Sequence, residues 1–285
     1  MNHFSHSCHP HPPGGRTFFL RLVSLLLCAA LLTAGFLPAL AAEPDTAPPL
    51  TAAELRQEMI RLNGPIAPEW IPIHTVGGAV DTVLAHDESF TRWSEAYQVP
   101  KALVQTVVLR ELICCNVFDL LGDFLAEFWF QRCGAAERNG AEGALKAFSW
   151  LFKKDSSTGA GQIIADTAIL ANNMAVERGI LPADSRVYDV NDWHDRADMW
   201  RRLRDDTDFN IQMVTLALIL FADPPAPYEG LLDLTDDQAQ AIFRSYTGTV
   251  VMMNAHLYYC GEYYLLFRRY NASLTGAADS QRTEA

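Results

Sequence analysis

The sequence predicts a mainly α protein. Apolar residues recur at helical spacing through most of the chain beyond residue 50. Strand-type alternation is confined to one weak candidate at 187–190. A third observation is the run "FNIQMVTLALILF" at 209–221, apolar on every side and too short to cross a membrane. It predicts a central helix buried all round.

Taken in order, residues 52–62 read as a short helix that ends at Asn63-Gly64-Pro65. Residues 67–78 read as irregular, because Pro68 and Pro72 interrupt them. A helix follows at 82–97, weakest at His86-Asp87-Glu88-Ser89. The strongest pattern begins at Val99-Pro100, since a proline at a helix start forfeits no hydrogen bond. "KALVQTVVLRELICC" then runs helical to about Cys115. Residues 117–130 form a helix rich in aromatics, 132–142 a loop of small and charged residues, and 144–152 a further short helix. Residues 166–178 form a helix with Asp166 as its cap and Gly179 just past its end. A charged helix at 193–203, helices at 236–246 and 252–269, and a disordered polar tail at 271–285 complete the order.

The N-terminus reads as an export signal. Arg16 and Arg21 precede an apolar run that ends in Ala39-Leu40-Ala41. The expectation is removal of 1–41; a retained membrane anchor is the alternative. Cys28 is a poor lipidation site, because Leu27 stands before it. A proline-rich leader then covers 42–53 and an N-terminal helical segment 54–97. Residues 1–41 hold two cations and no acid, so their loss takes the net charge from −12 to −14. That acidity excludes nucleic acid as the natural partner. Export permits disulfides among Cys114, Cys115, Cys133 and Cys260, in three possible pairings. His256 and Cys260 have metal-ligand spacing on a helix, but a packed histidine and a buried or bridged thiol is the preferred reading. No metal or organic cofactor is expected.

At about 100° per residue, Val104, Val107, Val108 and Cys115 share a face, and Glu111 falls within it. A carboxyl on an apolar stripe must find a partner or take up a proton. A glutamic acid kept protonated near neutral pH suits a general acid. The competing reading is a structural ion pair. Arg110 lies on a different face and is expected in solvent.

"DSSTGAGQII" at 155–164 offers a second feature. Gly159 and Gly161 permit close backbone approach, and Gln162 brings an amide that both donates and accepts. A plain turn before a helix is the alternative. The stretch is not a phosphate loop, since it lacks Gly-Lys-Ser/Thr and no clear strand precedes it.

The order of these pieces resembles the lysozyme-like superfamily, lytic transglycosylases and goose-type lysozymes in particular. A helix closes on a Glu, "STGAGQI" and "TAILANN" follow, then "FNI" opens the apolar helix and "AIFRSYTG" comes last. The resemblance covers about residues 98–262, and each of its motifs is short. It implies a lysozyme-like helical domain at 98–270 around a buried central helix, with 117–152 as an inserted helical element. It also implies that Glu111 is the catalytic acid. Ser157, Gly159, Gly161, Gln162 and Ile163 would line the glycan cleft, with Tyr246 packed against the acid. Asp155 matches an aspartate that positions water in goose-type lysozymes; a turn or cap role is the alternative. Leu218 and Leu220 would be core.

The departures are three. Leu112 stands where a serine is usual, Thr247 replaces an asparagine, and the 43 residues between Glu111 and Asp155 exceed the family's interval. The implied substrate is the β-1,4 link between N-acetylmuramic acid and N-acetylglucosamine in peptidoglycan, outside the cytoplasm. Trp129, Trp150, Trp193 and Trp200 are read first as core and second as sugar platforms. Two rivals remain: a non-catalytic glycan-binding or envelope-assembly protein on the same scaffold, and a helical envelope protein unrelated to lysozymes.

Overall fold

Three helices begin with a side chain that closes on the backbone three residues away. Thr51 and Glu54 exchange such bonds at the first helix, Thr235 and Gln238 at the ninth, and Asn116 and Asp119 at the fifth. The computed structural model describes residues 47–63, 71–141, 156–247 and 254–283. Among them are ten helices: α1 Ala52–Asn63, α2 Val76–Ala85, α3 Asp87–Tyr97, α4 Lys101–Cys114, α5 Val117–Arg138, α6 Ala165–Glu177, α7 Trp193–Asp205, α8 Thr207–Ala222, α9 Asp236–Thr247 and α10 Asn254–Thr283. They belong to the unit Pro48–Ala285. The mainly α class therefore holds. The described residues contain no named strand, only isolated bridges at Pro72–Asn116 and Thr158–Ile163, and 187–190 is not one.

The central position belongs to α8, which packs on α3, α4, α6, α7 and α9. Its residues from Phe209 to Ile219 are buried apart from Gln212, as an all-round apolar helix requires. Leu218 is core; Leu220 is partly buried and packs against that core. The second hub is α4, which touches α2, α3, α8 and α10. Asn271 on α10 donates to Gln105 on α4 at 2.9 Å, and Tyr263 on α10 donates to Asn63 on α1.

Several boundaries differ from expectation. The stretch expected as one helix at 82–97 is two, broken at His86 (φ −105°, ψ 18°), and the first starts early, capped by Thr75. α5 does not stop at 130. It continues through most of the expected loop to Arg138, because Ala135, Ala136 and Glu137 favour helix and Cys133 is buried in the core. Asp166 does not cap α6. The cap position is Ile164, and Asp166 pairs instead with Arg196. Gly179 does follow the helix end, with φ +71°. α10 runs on through the expected tail to Thr283. No disulfide joins Cys114, Cys115, Cys133 and Cys260 to one another. The export segment at 1–41, the helix at 144–152, Trp150 and the His256 side chain lie outside what is described. No described helix is long and apolar enough to cross a membrane.

Candidate functional site

The glycine loop is held from three sides. Its own backbone closes first: Thr158 N–H donates to the Ile163 carbonyl at 3.2 Å, and Gln162 N–H to the Gly159 carbonyl at 3.2 Å. Gly159 sits at φ +71°, where glycine is favoured, and Gln162 at φ +45°, where it is not. A non-glycine residue in that region is uncommon and concentrates at functional sites. The Gln162 amide also turns inward and donates to the Gly159 carbonyl at 2.9 Å. It braces the loop it was expected to present.

The second support is Asn210, fully buried in the first turn of α8. Its Oδ1 accepts from Gly161 N–H at 2.8 Å. Its Nδ2 donates to the carbonyls of Thr158 at 3.1 Å and Leu203 at 3.0 Å. A Cβ on Gly161 would stand 2.2 Å from the Val214 Cγ2 and 3.1 Å from Asn210 Oδ1, so only glycine lets the loop lie this close to α8. The third support is Asp123 on α5, which accepts from Ser156 Oγ at 2.8 Å and Thr158 Oγ1 at 3.1 Å. Burial pushes its carboxyl up, and those two hydroxyls oppose the shift. The buried Trp200 indole donates to the Ser156 carbonyl at 3.1 Å. That contact makes Trp200 a structural residue rather than a sugar platform.

Tyr246, near the end of α9, bonds to this loop. Its hydroxyl donates to the Gly161 carbonyl at 2.8 Å. Burial raises its pKa well above the usual phenol value, the Glu111 charge raises it further, and Arg110 opposes both. Glu111 lies in the last turn of α4 with its side chain 14% exposed. Burial raises its pKa, against the pull of the Arg110 guanidinium.

Arg110 is not in solvent. Its side chain is 7% exposed and its Nη1 donates to Glu111 Oε1. The expectation failed because it assumed a wet face, and α4 is buried on nearly every side. Cys114 and Cys260 stand close enough to be influenced by both charges, and burial pushes their thiols up to about 11 and about 12.

Tyr246, Gly159, Gly161, Gln162 and the buried Ile163 thus meet at the loop, with Ser157 at its entry, and the Glu111 charge reaches Tyr246. Asp155 lies outside the described residues. Sequence reading missed Asn210 and Asp123 as supports. The available signal was a polar residue inside an apolar helix, which must find a hydrogen-bond partner. No cluster able to hold a metal occurs among the described residues. Two surface hollows, one along α3 at Asp87 and Arg92 and one between α5 and α7 at Arg132 and Trp193, do not include Glu111.

Compared with protein-family models, curated proteins and solved structures, the chain finds no match.

Proposed function

We propose that this chain cleaves peptidoglycan glycan strands at the β-1,4 link between N-acetylmuramic acid and N-acetylglucosamine, with Glu111 as the general acid. The observation that supports the reading is the Tyr246 bond to the glycine loop, together with the reach of the Glu111 charge to the same tyrosine, from three segments far apart in sequence. Burial favours the protonated Glu111 that donation to a leaving oxygen requires. After bond cleavage the resulting carboxylate takes the proton from the muramoyl 6-hydroxyl as an anhydro ring closes. Asp123 is occupied by Ser156 and Thr158, so its role is to position the loop rather than to activate water. We favour this transglycosylase outcome over hydrolysis with a positioned water because Glu111 is the carboxyl the resemblance supports best; Asp155 lies outside the described residues. The N-terminal export signal read from the sequence would deliver the chain to that polymer.

A specific observation favours a second reading. The buried Arg110–Glu111 pair is the structural ion pair that competes with catalysis, and neither surface hollow reaches it. On that reading the chain binds glycan or assembles envelope components without cleaving them.

Mass spectrometry of the soluble products from purified sacculi separates the two. Anhydro-ended muropeptides released by the wild type and lost in Glu111→Gln support the transglycosylase. Reducing-ended products that also need Glu111 support hydrolysis. Binding without release supports the scaffold, and neither binding nor release overturns both. Circular dichroism of Glu111→Gln establishes that its loss of activity is not unfolding.

A further inference from the structure

The inserted helix α5 is apolar on two sides. Its inner side places Gly122, Ala126, Trp129, Phe130 and Cys133 in the interior. Its outer side carries Phe118 (58% exposed), Leu120 (55%), Leu121 (51%), Phe124 (66%) and Leu125 (37%). At 100° per residue these five fall within one half of the helix surface. Ile71 (69% exposed) extends the patch, because its carbonyl accepts from Val117 N–H in the first turn of α5. At about 200 Å² for a large side chain, these fractions amount to roughly 700 Å² of exposed apolar surface. The largest such patch on an ordinary monomer is about 300–600 Å², and it usually marks a contact.

We propose that a second copy of this chain covers this face, with the two α5 helices antiparallel about a two-fold axis near Phe124 and Leu125. Area is the first reason. Two such patches would bury about 1,400 Å², within the range of roughly 1,200–2,000 Å² for stable interfaces. A cation–ring fit is the second. Phe118 and Arg132 lie at equal distances either side of Leu125 in the sequence. An antiparallel pair therefore brings Arg132 of each copy to the Phe118 ring of the other, whereas Asp119 lies on another face and caps its own helix. Arg132 already lies over the Phe128 ring of its own helix at 4.8 Å, on the same face. A two-fold axis satisfies both ends at once, as an isologous contact must. An anionic lipid surface fits less well, since the chain carries −12. The inference does not depend on the glycan reading.

Sedimentation equilibrium of the full chain tests it. The wild type is expected as a dimer whose dissociation follows mass action. Phe124→Glu and Leu121→Glu, both at exposed positions, are expected to sediment as monomers with unchanged helicity. Arg132→Ala is expected to weaken the dimer by removing the cation from the Phe118 ring of the other copy. A wild type that is monomeric at every concentration overturns the proposal, whether or not it cosediments with phosphatidylglycerol vesicles. A dimer that persists in both glutamate variants also overturns it.

Discussion

Glu111 is pulled two ways. Burial raises its carboxyl and Arg110 lowers it, with burial the larger effect. Removing Arg110 therefore raises the pKa further. If Glu111 is the acid, the alkaline limb of the pH profile of kcat/KM in Arg110→Met should move to higher pH; a shift downward would sink the assignment. The same direction fixes a stability slope. A carboxyl raised in the fold stabilises most fully below its unfolded value of about 4.3, and that contribution is lost as pH rises through the folded value. Urea unfolding of wild type and Glu111→Gln should then show the wild type losing ground to the variant as pH rises above about 4.3. Arg110 remains charged throughout, so it offsets the two curves without changing that slope. The burial of Glu111 was legible because it falls on an apolar stripe. Arg110 was not, because helical periodicity gives direction around an axis but not which sides have neighbours.

The glycine loop behaves as an element whose shape is imposed by α8. Asn210→Ala would strand the Gly161 N–H and the carbonyls of Thr158 and Leu203, all inside the fold. The expected loss is about 2–4 kcal/mol in chemical denaturation, with faster exchange of the Gly161 amide; an amide still protected in the variant would contradict this. Gly161→Ala should cost about 1–3 kcal/mol, because the new methyl meets Val214 on the buried face of α8. Tyr246→Phe removes one bond to the loop and should cost about 1 kcal/mol. Helix existence was readable here and helix ends were not. The expected loop after α5 held Gly134 and charged residues, yet Gly134 packs near Trp193 and the helix continues. A local breaker signal of about 1 kcal/mol yields to burial of Cys133 one residue earlier.

At the scale of the whole molecule, the packing of α8 on five neighbours argues for one cooperative unit. Leu218, fully buried at its middle, should cost about 2–5 kcal/mol when truncated to Ala, without splitting the unfolding transition. The thiols report on the same cooperativity. The sequence left three pairings open because export makes disulfides possible without requiring them; the fold makes none of the three. Burial pushes Cys114 to about 11 and Cys115 and Cys260 to about 12, so hardly any thiolate exists at neutral pH. Cys133 is buried against the core. Alkylation with iodoacetamide, mapped peptide by peptide, should therefore leave Cys114, Cys115, Cys133 and Cys260 unmodified in buffer. All four should become reactive over one narrow range of denaturant, the range in which helicity is lost. Early reaction at Cys133 alone would mean that α5 opens independently and that its apolar outer face is not held by the unit. A mass deficit of two hydrogens between any two of the four would mean that the oxidised chain adopts a different packing of α4 and α10.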